Sequence, residues 1–455
     1  MKDFKREFFI PLLLAIITII ALRIPSLNLP LCYAEAQLYA GSVFPLKSGD
    51  MFTILSDSGV ELPDFFSVII SLFAGLVSPK AFYLHLFCTL FAALSVVAAY
   101  KFGKFFFSVQ AGVISASLMI VQNVFLAQTG LSLPNMFQNC LIITGLYCYF
   151  REKFPLCALL LTLSALTSVL GFVTSGLLLA AYYKEKSNRE WKLSTNILLC
   201  LPIATWFAYQ ILSITICGKL SSLTFAFDVE KTLNDLSFIF VKQFRFIISL
   251  VTILMVLIIK FSKDVAFYAN DVFKTSILWF LLITITSTMF LNSESGLLPL
   301  VSVLSIFCGC ALSILNINFH YKYLITTVLI AIFSLGAVFN NQYSDSYITM
   351  KDKVEVDKKT IEILLEKANT NQTIICDNSF KTFLEHPVTG YVSSSYDFIK
   401  NHKIILKEDS VNTNALKIIT NFPISTPENN NGQKYKTICK ILKNNYDAQI
   451  LKPAE

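Results

Sequence analysis

Residues 23–40 read RIPSLNLPLCYAEAQLYA and directly follow an apolar run at 8–24. The stretch carries one acid, Glu35, among small and apolar neighbours. A carboxylate that is partly removed from water has a raised pKa, which suits a general base. Glu35 is therefore a candidate catalytic residue. The alternative is an ordinary surface acid on a short amphipathic helix that follows Pro30.

The composition of the whole chain is typical of a membrane protein. Of its 455 residues, 55% are hydrophobic and only 15% are charged, whereas soluble domains carry about 25% charged residues. The scarcity of charge predicts an α-helical polytopic membrane protein. The net charge of +7 falls mostly in the apolar part of the chain. It therefore indicates basic cytoplasmic loops and no nucleic-acid partner.

Apolar runs of about 20 residues, long enough to cross a bilayer, predict eleven transmembrane helices. The run at 155–183 is too long for one crossing, and the basic residues on both sides predict a tight helical hairpin. The other spans are expected at 8–24, 82–100, 108–127, 132–150, 195–217, 239–261, 274–291, 297–316 and 321–340. Because no small-residue cleavage site follows the first run, we expect it to remain as a span.

One more apolar run, at 65–78, has only 14 residues and is followed by Pro79. Its length favours a helix that lies at the membrane interface over a span. With this run left out, most basic residues of the short loops fall on one side of the membrane. We therefore predict a cytoplasmic N-terminus, a first outer loop at 25–81, and chemistry on the outer side.

The C-terminal part has an ordinary soluble composition. Residues 341–455 hold 15 basic and 14 acidic residues, which predicts a transmembrane domain at 1–340 and a small extracytoplasmic α/β domain at 341–455. Strands are expected at Thr373–Cys376, Pro387–Val392, Lys403–Leu406 and Leu416–Thr420, and helices at Val354–Ala368 and Tyr435–Leu442. This domain has no Gly-rich phosphate loop and no His/Cys cluster, so we expect no chemistry of its own. Cys376 and Cys439 are possible disulfide partners.

Two segments of the outer loop have the pattern of a known family. They are AEAQLYA at 34–40 and ELPDFF at 61–66, which leads into the short apolar run. The first resembles an Asp-Glu-Ala-x-x-Tyr-Ala motif, and the second a basic-Pro-Pro-aromatic motif that opens an interfacial helix. Both motifs belong to the GT-C type glycosyltransferases, which use polyprenyl-phosphate sugar donors and include the protein O-mannosyltransferases and the lipid A aminoarabinose transferases.

Later segments resemble the same family in layout. They are Val124-Phe125 through Pro134-Asn135-Met136, the hairpin segment at 163–171, and Leu297-Leu298-Pro299-Leu300. The chain also departs from the family pattern. It has Ala34 for the first acid, Asn135 for an Asp, Ser168 for a Lys, and Gly296 for a Tyr or Arg. These departures indicate a different donor or acceptor, or a loss of activity.

The resemblance implies that Glu35 deprotonates or orients the acceptor, while basic groups hold the lipid phosphate. Lys242 and Arg245 are three residues apart near the end of a span, so they share a helix face and suit a phosphate. The alternative is that both side chains reach lipid headgroups or water. Further candidates for substrate binding are Tyr39, Lys47, Lys80 and His85. His85 stands at a family Arg position, and its alternative is a satisfied interior histidine.

The function that the resemblance implies is inverting transfer of a sugar from a polyprenyl-phosphate donor. The acceptor would be a lipid, a glycan or a protein, at the periplasmic face of a bacterial inner membrane. No cofactor or metal is expected, because no paired acids lie together in the outer loop. Two alternatives remain. One is an inactive GT-C-like scaffold, and the other is a transporter or flippase of a lipid-linked sugar, for which inverted repeats would be expected.

Overall fold

The computed structural model describes most of the N-terminal half of the chain and parts of the rest. The described residues are 2–39, 63–78, 80–185, 193–218, 298–314, 347–367, 373–376, 378–385, 390–391, 403–406, 416–420, 435–443 and 446–453. They fall into two compact units. The helical unit comprises Met1–Arg23, Asp50–Ile69 and Phe87–Ser346, and the mixed unit comprises Ile24–Gly49, Ile70–Leu86 and Tyr347–Glu455. The predicted domain division at residue 340 stays a prediction.

The described residues between 2 and 314 lie mostly in apolar helices. In chain order these are α1 (Lys2–Leu27), α2 (Tyr33–Leu38), α3 (Phe65–Leu76), α4 (Ala81–Phe106), α5 (Val109–Ile120), α6 (Asn123–Thr129), α7 (Pro134–Phe150), α8 (Phe154–Ala165), α9 (Val169–Glu185), α10 (Leu193–Cys217) and α11 (Leu298–Ile314). Proline at the first or second position begins α7 and α8, where the missing N–H costs no hydrogen bond. Within the described residues, Ala81–Phe106 and Ser194–Cys217 are long and apolar enough to cross a membrane.

Helices occupy most of the predicted spans that the structure describes. The run at 155–183 forms two helices, α8 and α9, which the turn at 166–168 separates. The helix–turn–helix shape of the predicted hairpin is therefore present, and its two crossings of the membrane stay a prediction. The predicted spans at 239–261, 274–291 and 321–340 lie outside the described residues. The number of eleven spans therefore stays a prediction.

The predicted span at 108–127 is not one continuous helix, because the run forms two helices. Helix α5 ends at Ile120, and α6 starts at Asn123 after Gln122, whose backbone is extended. The Gln122 carbonyl accepts the N–H of Leu126 at 2.9 Å and so begins a new helix. The hydropathy of the run predicted one buried helix. It did not predict that the helix would end before Gln122 and that a new one would start at Asn123.

Helix α3 is a separate short helix, as the length of its apolar run predicted. Its 12 residues span about 18 Å, which is short of the ~30 Å hydrocarbon core. The Asp64 carboxylate begins the helix by accepting the Ser67 N–H at 2.7 Å. Burial raises the pKa of Asp64, and the hydrogen bond from Ser67 opposes that shift.

Helices α5 and α11 approach each other closely at Gly309. A Cβ atom at this position would lie 2.7 Å from the backbone nitrogen of Ser115 and 2.9 Å from the carbonyl oxygen of Ala111. The Ser115 hydroxyl shares its one proton between the carbonyl oxygens of Ala111 at 2.7 Å and Ile306 at 3.3 Å. The contact therefore requires glycine because the two backbones leave no room for a side chain.

The C-terminal part of the mixed unit is a five-stranded sheet with two described helices. The elements are α12 (Tyr347–Lys367), β1 (Thr373–Cys376), α13 (Asn378–Glu385), β2 (Lys403–Leu406), β3 (Leu416–Thr420), β4 (Tyr435–Lys443) and β5 (Tyr446–Pro453). The strand order is β2-β1-β3-β5-β4. Strand β1 is parallel to β2 and β3, whereas β5 is antiparallel to β3 and β4.

The predicted α/β fold of this part is confirmed, with two corrections. The segment Tyr435–Leu442 is not a helix but lies within β4, which pairs along its length with β5. Its apolar residues fit both a helical and an alternating period, and pairing with the next segment decides between them. Of the predicted strand Pro387–Val392, the described residues Gly390 and Tyr391 form a bend.

The sheet order excludes a disulfide between Cys376 and Cys439. These residues lie on β1 and β4, which β3 and β5 separate. Three strand spacings amount to about 14 Å, whereas the Cα atoms of a disulfide lie within about 7 Å of each other. Within the described residues, neither cysteine takes part in a disulfide.

We expect Gly309→Ala to lower the free energy of unfolding by about 1–3 kcal/mol, because the added methyl group overpacks the α5–α11 contact. Gly176→Ala on α9 is the matched control, because a Cβ there would meet nothing within 4 Å. The control should be neutral, or stabilising by up to about 1 kcal/mol through helix propensity. Thermal unfolding of both variants in detergent measures the difference. Equal stability of the two variants would contradict the described close approach.

Candidate functional site

Glu35 lies in the first turn of the short helix α2. The helix begins after Cys32, whose backbone is extended at φ −67° and ψ 167°. The Oε2 atom of Glu35 accepts the backbone N–H of Cys32 at 2.7 Å. This is the acidic half of a capping box, in which the third helical residue reaches back to the cap. A contact between neighbours in sequence thus helps to orient the Glu35 side chain.

The second oxygen of the Glu35 carboxylate is bonded to His85 on α4. The Nε2 atom of His85 lies 3.0 Å from Oε1 of Glu35. The other ring nitrogen, Nδ1, lies 3.2 Å from the carbonyl oxygen of Leu27, at the end of α1. Glu35 is 1% exposed and His85 is 3% exposed. The three groups therefore form a buried chain of hydrogen bonds within the mixed unit.

The geometry restricts where the protons lie in this chain. A carbonyl oxygen only accepts hydrogen bonds, so Nδ1 of His85 carries a proton and donates it to Leu27. One further proton lies between Nε2 and Oε1. If it is on Nε2 the pair is an imidazolium and a carboxylate, and if it is on Oε1 the pair is a neutral imidazole and a carboxylic acid. In both forms the pair has no net charge, so burying the two titratable groups costs less free energy than burying one charge alone.

An aromatic residue of the C-terminal part packs against α2. The ring of Phe383 on α13 meets the ring of Tyr33 edge to face at 6.4 Å between centroids. Tyr391 stacks on Phe383 at 4.2 Å. Cys32 lies close to Glu35, and the pKa of its thiol is raised well above the usual value, first by burial and then by the charge of Glu35. Cys32 therefore stays protonated.

The structure brings together two of the predicted site residues and describes two more. Glu35 and His85 are hydrogen-bonded, so the alternative of a surface acid at position 35 is wrong. His85 has the hydrogen bonds of a satisfied interior histidine. Tyr39 is buried at the C-terminal end of α2, and Lys80 is exposed just before α4. Lys47, Lys242 and Arg245 lie outside the described residues, and the roles of all these residues stay predictions.

Three of the four positions that depart from the family motifs are described, whereas Gly296 lies outside the described residues. Ala34 is exposed, whereas the adjacent Glu35 is buried. The Asn135 amide donates a hydrogen bond to the side-chain oxygen of Gln128 at 3.1 Å. The Ser168 hydroxyl accepts the N–H of Leu170 at 3.4 Å in the turn between α8 and α9. The two polar substitutions thus take part in local structure.

Arg23 is a buried cation outside the set of site residues that the sequence predicted. Its side chain is 3% exposed, and Nε donates a hydrogen bond to the hydroxyl of Thr129. A Cβ at Gly130 would lie 3.1 Å from Cζ of Arg23, so the guanidinium packs flat against that glycine. A charged residue at the end of an apolar run is the signal that marks Arg23 in the sequence.

Three other residues were missed as well. Cys32 caps α2, and Phe383 and Tyr391 pack beside it from more than 300 residues away along the chain. No local pattern reveals the contact of Phe383 with α2 or the stack of Tyr391 on Phe383, because hydropathy and period describe only near neighbours in sequence. In the described part of the chain, no group of three or more His, Cys, Asp and Glu side chains could hold a metal ion. The expectation of no metal or cofactor stays a prediction.

The fold is similar to those of solved membrane glycosyltransferases. ArnT from Cupriavidus metallidurans, a lipid A aminoarabinose transferase solved with undecaprenyl phosphate, matches with a TM-score of 0.54 and 10% identity. That match covers 96% of this chain and 97% of ArnT. ArnT in the apo state matches with a TM-score of 0.51 and 11% identity, over 89% of this chain and 92% of that one.

An archaeal oligosaccharyltransferase has a similar fold over part of its length. AglB from Archaeoglobus fulgidus, solved with an inhibitory peptide and a dolichol-phosphate, matches with a TM-score of 0.50 and 11% identity. The match covers 84% of this chain and 63% of AglB. No protein-family model and no curated protein sequence matches the chain. ArnT and AglB are both GT-C proteins, so the predicted resemblance to the GT-C type is confirmed at the level of the fold.

We expect the Glu35–His85 pair to show a large coupling energy in a double-mutant cycle of Glu35→Ala and His85→Ala. Each single change leaves a buried polar group without its partner and should cost about 3–5 kcal/mol. The double variant should lose about 1–3 kcal/mol less than the sum of the single losses. Denaturant unfolding in detergent measures the three values.

The control for this cycle is the pair Lys358–Glu362 on α12. Its atoms lie 3.9 Å apart, and the side chains are 48% and 56% exposed. Exposed pairs at this helical spacing couple by about 0.5 kcal/mol or less. A coupling at Glu35–His85 that is no larger than the control value would contradict the buried pair.

Proposed function

We propose that this protein transfers a sugar from a polyprenyl-phosphate donor to an acceptor at a membrane surface. The observation that supports the proposal most is the match to ArnT over 96% of this chain and 97% of that one. ArnT was solved with undecaprenyl phosphate, and AglB with a dolichol-phosphate. A donor of the same chemical class would reach the site of this protein laterally, from within the bilayer.

The proposed location is the periplasmic face of a bacterial inner membrane, with the N-terminus in the cytoplasm and the C-terminal part outside. The distribution of Lys and Arg among the short loops supports this orientation. Helix α3 supports it too, because a helix of 12 residues is too short to span and suits an interface. The acceptor would be a lipid, a glycan or a protein that is exposed on that side.

The proposed reaction is a single displacement at the anomeric carbon. The acceptor oxygen or nitrogen attacks that carbon while the bond to the phosphate oxygen breaks, and the phosphate leaves with the bonding electrons. The acceptor loses one proton, which Glu35 takes as general base. Attack from the side opposite the phosphate inverts the configuration of the sugar.

The environment of Glu35 suits this role. Both carboxylate oxygens are held, one by the backbone N–H of Cys32 at 2.7 Å and the other by His85 at 3.0 Å, and a carboxylate oxygen can accept more than one hydrogen bond. In the imidazolium form, His85 holds Glu35 as the carboxylate that can take this proton. The burial of Glu35 keeps bulk water from the reacting groups, which would protect an activated sugar from hydrolysis. His85 is thus proposed as a positioning residue for Glu35.

Basic residues would hold the phosphate, because a leaving group that develops negative charge needs nearby cations. Lys242 and Arg245 remain the proposed pair for this role. Lys47 and Lys80 are proposed as further cations that hold the phosphate. Tyr39, buried directly after the short helix that carries Glu35, is proposed to line the sugar side of the site.

Replacement of Glu35 by Gln should lower sugar transfer at least about 100-fold, because the amide has the shape of the carboxylate but accepts no proton. Binding of undecaprenyl phosphate should be retained. Purified protein in nanodiscs, supplied with a panel of undecaprenyl-phosphate sugars and envelope extracts as acceptors, measures both quantities.

The matched control is Glu362→Gln, the same change on an exposed acid, and it should leave transfer unchanged. Undiminished turnover by Glu35→Gln would contradict the assignment of the base. If the natural protein binds the lipid but transfers no sugar, the inactive scaffold is favoured. If it moves an intact sugar lipid across the bilayer without breaking a bond, the flippase is favoured.

Deletion of the gene in its host gives a second, independent prediction. We expect the loss of one sugar modification from envelope glycans, glycoproteins or lipid A, together with accumulation of the unused lipid-linked sugar. Mass spectrometry of envelope fractions detects both changes. An unchanged envelope with no accumulated donor would contradict the proposed reaction.

A further inference from the structure

The C-terminal part of the chain brings a tyrosine hydroxyl to the helix that carries Glu35. Tyr391 stacks on Phe383 with ring centroids 4.2 Å apart, and Phe383 packs on Tyr33, the first residue of α2. The preceding residue, Gly390, lies against Pro30, where a Cβ atom would be 3.4 Å from Cα of the proline. Contacts at Pro30 and Tyr33 therefore fix the bend at 390–391 beside the start of α2.

The backbone of this bend depends on glycine. Gly390 has φ +86°, a conformation that residues with a side chain rarely adopt. The residue itself is exposed, whereas the side chain that follows it points inward and is only 6% exposed. The bend thus turns a surface segment so that Tyr391 enters the interior near Glu35.

The Tyr391 hydroxyl is buried and has no hydrogen-bond partner within the described residues. A buried polar group without a partner costs about 1–3 kcal/mol. Such groups are rare in folded proteins, and many of them meet a water molecule, an ion or a ligand that completes the site. If Tyr391 served packing alone, phenylalanine would fill the same space without this cost.

The surroundings of Tyr391 indicate what kind of ligand group it would meet. Its pKa is raised well above the usual value by burial first, and then by the nearby Asp357 carboxylate, with smaller contributions from Cys32 and Glu35. The hydroxyl therefore stays protonated and acts as a hydrogen-bond donor at physiological pH. Acidic neighbours disfavour a phosphate at this point, whereas a neutral sugar hydroxyl can accept the hydrogen bond without charge repulsion.

We propose that Tyr391 donates a hydrogen bond to a hydroxyl of the donor sugar and so positions that sugar beside Glu35. The proposal rests on the proposed function, because it requires a lipid-linked sugar at this site. It assigns a substrate contact to the C-terminal part, for which the sequence predicted no chemistry. Tyr391 is a specificity residue in this proposal, since a bare lipid phosphate would not engage it.

The test compares two lipids on the full chain in nanodiscs. One lipid is undecaprenyl phosphate, and the other is the tightest binder among undecaprenyl phosphates that carry a hexose, an N-acetylhexosamine or aminoarabinose. For Tyr391→Phe we expect the Kd of the sugar-bearing lipid to rise about tenfold, which is the loss of one hydrogen bond. The Kd of the bare lipid should stay within about twofold, and thermal stability should be unchanged or higher because the unpaired hydroxyl is gone.

Tyr149→Phe is the matched control, since it removes the hydroxyl of another buried tyrosine, on α7 in the helical unit. It should change neither Kd. An unchanged Kd of Tyr391→Phe for the sugar-bearing lipid overturns the proposal, and so does an equal loss for both lipids. If the natural protein binds neither lipid, the proposed function is wrong. The proposal for Tyr391 then fails with it, because it requires a bound lipid-linked sugar.

Discussion

The hydrogen bond between Glu35 and His85 is the constraint on which the candidate site depends. A carboxylate that is 1% exposed is costly unless a partner shares its charge or its proton. The partner stands 50 residues further along the chain and is itself held by the carbonyl of Leu27. The bond therefore fixes α2 against the end of α1 and the start of α4. A chain that lost this bond would have to expose Glu35 or keep it as a neutral acid.

The C-terminal part completes the surroundings of the same short helix. A helix of six residues has little stability of its own, because most helical stability in proteins comes from tertiary packing. Helix α2 obtains this packing from Phe383 on α13, while Tyr391 adds an aromatic stack and a hydroxyl. The segment that carries α2 and the C-terminal part thus both contribute to the candidate site, although more than 300 residues separate them along the chain.

Much of this arrangement could be predicted from the sequence, and the rest shares one physical cause. Apolar length predicted the α8–α9 hairpin and the short α3, and the setting of Glu35 marked it as a candidate. Each of these predictions uses only neighbouring residues. The pairing of Glu35 with His85, the approach of Tyr391 and the strand at Tyr435–Lys443 depend on contacts between distant segments. Neither period nor composition describes such contacts. The family motifs predicted the GT-C type of fold correctly, because their order along the chain follows the order of the helices and loops in that fold.

The most direct test is an experimental structure of the full chain in nanodiscs with an undecaprenyl-phosphate sugar bound. We expect the anomeric carbon to lie beside Glu35, with the phosphate on the opposite side of the sugar ring and the hydrogen bond from His85 to Glu35 intact. A sugar that lies away from Glu35, or a lipid that binds only as a surface annulus, would contradict the assignment of Glu35 as the base for sugar transfer.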